Sequence, residues 1–204
     1  MIVADDVSRW QALGLVGSTN PDGRWHCLAN GVAVTVDPRA DVRGIVAWGF
    51  DTSVESHPDI GIAFAVAEPP PPFADDRLLG VDHVVLMTDS LDRTCGAVEQ
   101  VLGAPLKRVR EVGGGVRQGF HRLGDVILEV VERPGATPGP ASCWGLVFTV
   151  TDLDALVAPW DEDLVSGPRD AVQPGRRIAS LRQGAGLATA VAFMTPHRSV
   201  ESPG

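Results

Sequence analysis

The chain has 204 residues, 44% of them hydrophobic and 21% charged, an ordinary globular balance that buries one large core or two small ones without covalent staples. Its formal net charge of −9 excludes a phosphate-tracking surface, because nucleic-acid affinity rests on clustered Lys and Arg. No apolar run of about 18 residues is present to span a bilayer, so a soluble chain without a membrane partner is the expectation.

Residues 1–67 contain a predicted helix from Ser8 to Leu15 and then a hairpin, His26-Cys-Leu-Ala-Asn-Gly-Val-Ala-Val-Thr-Val-Asp-Pro38. With one residue gapped, that hairpin resembles His121-Arg-Leu-Gly-Asp-Val-Ile-Leu-Glu-Val-Val-Glu-Arg-Pro134. No strand is predicted ahead of the helix, and the apolar run GIVAWGF at 44 to 50 comes after the hairpin, so residues 1–67 read as a degenerate copy of the pattern at 78–134. Residues 68–77 open with Glu68-Pro-Pro-Pro-Pro72, which fixes φ and removes amide donors at four positions, and read as a stiff linker.

From 78 to 134 the pattern is strand (DHVVLMT), helix from Asp89-Ser-Leu-Asp92 to the C-cap candidate Gly103, then three β-branched runs, LKRVREV, VRQGFHRLG and VILEVVE, parted by glycines. The order is βαβββ. After a Pro- and Gly-rich linker at 135–142, residues 143–196 repeat it. WGLVFTV matches DHVVLMT and Thr151-Asp-Leu-Asp154 matches Asp89-Ser-Leu-Asp92, an offset of 62 residues (154 − 92). RRIASLR and ATAVAFMT stand in the places of the later strands, and residues 197–204 form a tail.

Several chemistries are excluded by residues. Cysteines at 27, 95 and 143 form no C-x-x-C pair, so no disulfide framework or zinc knuckle is indicated. With no basic stretch in the opening residues, the expectation is a reducing, cytoplasmic setting. Tyrosine is absent and Lys107 is the only lysine, which removes tyrosine acid catalysis and leaves one residue for Schiff-base chemistry. No G-x-S-x-G elbow, P-loop or H-E-x-x-H is present, and Gly113-Gly-Gly115 lies between strands, where it is a hairpin turn.

Leu79-Gly-Val-Asp-His-Val-Val-Leu with the following Ser-Leu-Asp, and Phe120-His-Arg-Leu-Gly-Asp-Val-Ile-Leu-Glu-Val-Val-Glu, resemble the first-strand and last-strand motifs of the vicinal-oxygen-chelate superfamily, which includes glyoxalases, bleomycin-resistance proteins and extradiol dioxygenases. The resemblance covers about 119 residues, 78 to 196. It implies an α+β fold in which paired βαβββ modules form a curved, mostly antiparallel sheet around a cleft, with the degenerate N-terminal module beside them. It also implies metal ligands on the first and last strand of each module. In the first module these are His83 and Glu129, whereas in the second Gly145 and Ala192 (or its neighbour Val191) stand there and neither binds a metal.

Alternation puts His83 in a row with Val85 and Met87, and Glu129 in a row with Ile127 and Val131. A carboxylate in such a row must be neutral, hydrogen-bonded, ion-paired or metal-bound. Two readings stand together: a His83–Glu129 hydrogen-bonded pair without metal, or a divalent ion held by both, with His121 as a candidate third ligand. Glu129 is the candidate catalytic base. Arg176 and Arg177 are either an anion grip or an exposed pair flanking a turn, and Trp144 is a candidate cleft wall. The expected cofactor is thus none or one divalent metal ion, and the expected partner a small molecule. The odd third module is a surface through which two chains can pair as a homodimer. The resulting expectation is a glyoxalase-like protein binding a small molecule, set against a metal-dependent lyase, isomerase or dioxygenase.

Overall fold

A computed structural model describes residues 1–39, 41–69 and 74–197. The N-terminal part comprises β1 (Ile2–Ala4), α1 (Val7–Ala12), β2 (Ser18–Thr19), β3 (Trp25–Ala29), β4 (Val32–Asp37), β5 (Gly44–Phe50) and β6 (Ala63–Val66). The first repeat comprises β7 (Leu78–Thr88), α2 (Leu91–Leu102), β8 (Arg108–Gly113), β9 (Val116–Leu123) and β10 (Val126–Glu132). The second comprises β11 (Ser142–Val150), α3 (Leu153–Val157), β12 (Arg169–Asp170), β13 (Arg177–Ser180) and β14 (Ala190–Met194).

The two repeats build one eight-stranded, mostly antiparallel sheet in the order β12-β13-β14-β11-β7-β10-β9-β8. Within each repeat the first strand pairs in parallel with the last, β7 with β10 and β11 with β14, and the two first strands pair antiparallel at the centre. The helices start alike but are held differently. Asp152 caps α3 through its carboxylate, whereas the first amide of α2 donates to Glu132 at 2.6 Å, a carboxylate brought to the positive helix end by the last strand. Gly103 closes α2 at φ 60°, a left-handed position that suits glycine.

The N-terminal part forms a six-stranded sheet, β2-β3-β4-β1-β5-β6. Here the expectation is corrected. Ile2–Ala4 supplies the first strand that the pattern lacked, pairing in parallel with β4, so residues 2–37 carry a complete β-α-β-β-β order. The helix also begins and ends earlier than predicted, at Val7 and Ala12. β5 pairs antiparallel with β1 as β11 does with β7, and β6 lies parallel to β5 as β14 does to β11, so these strands amount to the inner half of a further module. The edge through which modules pair is thereby covered within the chain, and the odd module needs no second copy to cover it.

One buried cluster runs through both sheets, from Val3 and Trp10 through Leu86 and Leu128 to Phe148 and Phe193, which stack with centroids 5.7 Å apart. Of the tryptophans, Trp10, Trp25 and Trp48 are buried in it and Trp144 is exposed. Pro70, Pro71 and Pro72 of the expected linker, and most of the tail, lie outside the described residues. The linker's flanks are anchored: Glu68 meets Arg24 at 2.8 Å, and the buried Asp75 accepts from the Val16 amide and Arg77, both at 2.7 Å. No helix among the described residues is long and apolar enough to cross a membrane.

Candidate functional site

Register decides which side chains meet. Ile127 lies opposite His83, Glu129 opposite Val85, and Val131 opposite Met87, so both predicted rows share one face. On the other side of β10, Glu129 faces Phe120 and Val131 faces Gln118, which adds those residues to that face. His83 Nε2 and Glu129 Oε2 are 3.8 Å apart, with side chains 12% and 14% exposed. The face is concave: β7, β9, β10, β11, β13 and β14 together line a cavity of about 340 Å³, with His83, Gln118 and Glu129 on one side and Trp144, Val147 and Ile178 on the other. A larger groove of about 830 Å³ lies between residues 52–55 and the end of α2, but it holds no comparable acid–base pair.

The immediate partners of His83 and Glu129 are residues the sequence reading did not select. Gln118 Nε2 donates to Glu129 Oε1 at 2.6 Å. His83 Nδ1 lies 2.9 Å from Asp82 Oδ2, although neighbouring strand residues ordinarily point to opposite faces. The cause is a β-bulge. His83 pairs with Val147 and Val81 with Phe148, leaving Asp82 as the extra residue, and a bulge re-aims the side chains around it. Asp82 also accepts from Arg176 Nη2 at 2.6 Å and from the Thr149 hydroxyl at 3.2 Å. Burial disfavours its charge, but the hydrogen bonds from His83 and Arg176 and their charges win, so its carboxyl lies well below the usual range. An ionised Asp82 can only accept, so Nδ1 is the donor and Nε2 is left for the cleft, an acceptor when the ring is neutral and a donor when it is charged.

Glu129 is shifted the other way. Burial raises its carboxyl above the ordinary value, against the pull of His83 and Arg110. The 3.8 Å gap to His83 is too long for a direct hydrogen bond and suits an intervening water or ligand atom. An imidazole oriented by a carboxylate, beside a carboxyl group of raised affinity for protons, can exchange a proton with a bound molecule in a partly dry cleft.

Three expectations are corrected. His121 pairs with Leu128, on the opposite side of the sheet from Glu129; it is buried, with Nδ1 2.8 Å from the Ala104 carbonyl, and is no ligand candidate. Arg176 is neither an anion grip nor an exposed turn residue. Its side chain is 1% exposed and is taken up by Asp82 and by the Thr195 carbonyl at 2.7 Å. Arg177 points to solvent and pairs with Asp154 at 2.6 Å, outside the cleft lining. Trp144 does line the cavity, and it too is a bulge residue, between Cys143 and Gly145. The thiols offer no nucleophile: burial pushes Cys27 and Cys143 up to about 12 and Cys95 up to about 11.

No protein-family model and no curated protein matches the chain. Among solved structures the chain is similar to methylmalonyl-CoA epimerase from Mycobacterium tuberculosis, with 17% identity, 61% of this chain and 92% of that one covered, and a TM-score of 0.48. It is also similar to a hypothetical protein from Bacillus halodurans C-125, with 16% identity, coverage of 60% and 97%, and a TM-score of 0.48. A variant of the Streptomyces coelicolor epimerase in complex with 2-nitronate-propionyl-CoA shows 22% identity, coverage of 62% and 99%, and a TM-score of 0.47. Similarity of this degree transfers no activity or ligand to this chain.

The donor set does not fit a complete metal centre. His83 stands opposite Ile127 in β10, and Gly145 holds the corresponding place opposite Ala190 in β14; two residues on, Glu129 corresponds to Ala192. The second half of the cleft therefore contributes no ligand, where a catalytic zinc usually has three protein ligands. Among the described residues no group of three or more His, Cys, Asp or Glu is placed to hold a metal ion. A Cβ at Gly145 would collide with the Ala190 carbonyl oxygen and lie 2.8 Å from the Ala190 Cβ, so the neighbouring strand has closed over the space a side chain would use.

Proposed function

We propose that the chain is a glyoxalase-like protein of the vicinal-oxygen-chelate type that binds a small molecule in the cleft between modules 78–134 and 143–196, without a complete metal site. Residues 1–67 form a further module of complete strand order with two added strands beside that pair, joined to it through 68–77. The observation that carries this proposal is the inequality of the two matching strand positions: Asp82-His83 with Glu129 in one half, Trp144-Gly145 with Ala192 in the other. One half is equipped for proton chemistry and the other for apolar contact. Such a cleft resembles that of drug-sequestering members of the superfamily, and Glu129 and His83 are placed to act as an acid–base pair on a bound molecule.

The competing assignment is a metal-dependent lyase, isomerase or dioxygenase using His83 and Glu129. Metal analysis of the untagged, as-purified protein separates them, together with calorimetric ligand binding before and after chelation. We expect substoichiometric metal and binding that survives the chelator. Stoichiometric divalent metal that disappears together with turnover in Glu129→Gln would establish the competing assignment instead.

A further inference from the structure

The cleft is electrostatically lopsided. Followed across the register, the row through Glu129 runs Arg108, Phe120, Glu129, Val85, Gly145, Ala190, and the next runs Arg110, Gln118, Val131, Met87, Ser142. Each row begins with a guanidinium on β8 and ends in small or apolar residues; Glu129 lies in the first, and His83 in the row beyond it, between Ile127 and Val147. Arg108 lies over the Phe120 ring, 4.8 Å from its centroid, and Arg133, just past β10, lines the cavity itself.

Among the described residues these cations are in no direct ion pair, in a chain with 26 acidic and 17 basic residues. Elsewhere Arg24, Arg39, Arg117 and Arg177 each hold a carboxylate at 3.1 Å or less. Among the described residues Arg108, Arg110 and Arg133 hold none. Guanidinium groups with open donors beside a cavity are matched to carboxylate or phosphate oxygens. Glu129 faces the same space, but Gln118 already occupies Oε1. At the far end, Trp144 is 52% exposed and stands with Val147 and Ile178 as an apolar wall.

We propose that the cleft takes an organic anion with an apolar body, its carboxylate or phosphate held by Arg110 and Arg133 and its body against Trp144, Val147 and Ile178. Seated this way, the atoms next to the acidic group lie beside Glu129 and His83. The proposal rests on the reading of the cleft as a small-molecule site and adds the class of molecule.

The test is calorimetric titration of the full chain with 3-phenylpropanoate, phenyl phosphate and neutral 3-phenylpropanol, with chelator present and absent. Since hydrogen bonds to charged groups contribute about 1.5–3 kcal/mol, at least one acid should bind about tenfold more tightly than the alcohol. Arg110→Gln and Arg133→Gln, both away from the core, should erase that preference and leave the alcohol unchanged, while Trp144→Ala should weaken acid and alcohol alike. The stronger of the two acids identifies carboxylate or phosphate as the recognised group. Equal affinity for acid and alcohol, a preference that persists in both arginine variants, or no acid binding up to about 10 mM would overturn the proposal. Acid binding abolished by the chelator alone would instead overturn the metal-free reading and leave the polarity of the cleft standing.

Discussion

Replacing Arg176 by methionine removes a guanidinium whose side chain is 1% exposed and which reaches Asp82 Oδ1 at 2.6 Å from 94 residues away in sequence. The Asp82 carboxylate, itself 8% exposed, is left with His83 Nδ1 at 2.9 Å and the Thr149 hydroxyl at 3.2 Å. Breaking a buried ion pair on one side costs about 3–5 kcal/mol, and the two surviving partners put this case near ~3 kcal/mol. For a chain of this length that is a fall in Tm of roughly 6–12 °C. The pH dependence has a definite sign. The native Asp82 carboxyl lies below its unfolded value, so its contribution is present above about pH 3.9 and is lost as pH falls through the folded value. The gap between wild type and Arg176→Met should therefore be full near neutrality and narrow in acid. Thermal and urea unfolding from pH 3 to 8, with Asp82→Asn and the double variant completing a cycle, measures both. A melt within about 2 °C of wild type at neutral pH, or additive single effects, would refute the relay from Arg176 through Asp82 to His83.

Other consequences are equally open to measurement. Gly145→Ala should lower stability in urea by about 1–3 kcal/mol, because its Cβ would run into the Ala190 carbonyl oxygen and Cβ; an unchanged midpoint would show that the strands can part there. Glu129 holds its proton more tightly when folded, so its contribution is present at low pH and lost as pH rises through the folded value. Glu129→Gln, which mimics the protonated form, should match wild type near pH 4 and melt higher near pH 8; a pH-independent difference would contradict this. Trp144→Ala should leave stability within about 0.5 kcal/mol while weakening ligand binding, since the ring is 52% exposed and lines the cavity. Phe193→Ala, at 0% exposure against Phe148, should cost about 3–5 kcal/mol by chemical denaturation.

Much of the fold is legible in the chain because a repeated pattern is redundant. Two copies of strand, helix and hairpin at an offset of 62 residues (154 − 92) report the paired modules even where one copy is blurred. Short elements escape for the opposite reason: Ile2–Ala4 and Arg169–Asp170 have too few residues to show a period, and only their partners make them strands. Within the site, alternation placed His83 and Glu129 each in its own apolar row, and the register of β7 against β10 decided that the two rows share a face. It failed at Asp82 and Trp144, because a bulge changes the period by one residue and leaves no composition signal of its own. For Gln118 and His121 the alternating rows were visible, but which row faces the cleft is set by pairing with β10.

By itself, then, the amino-acid order determined two matching patterns and, in the first, two apolar rows that each carry one polar residue, His83 or Glu129. These follow from covalent periodicity, which any extended strand must obey. Only the tertiary structure decided that Asp82 and Arg176 brace the imidazole, that Gln118 holds the carboxylate, and that arginines from β8 share the face with both. Such contacts join residues remote along the chain, and their partners are chosen by strand register and by the bulges at the centre of the sheet.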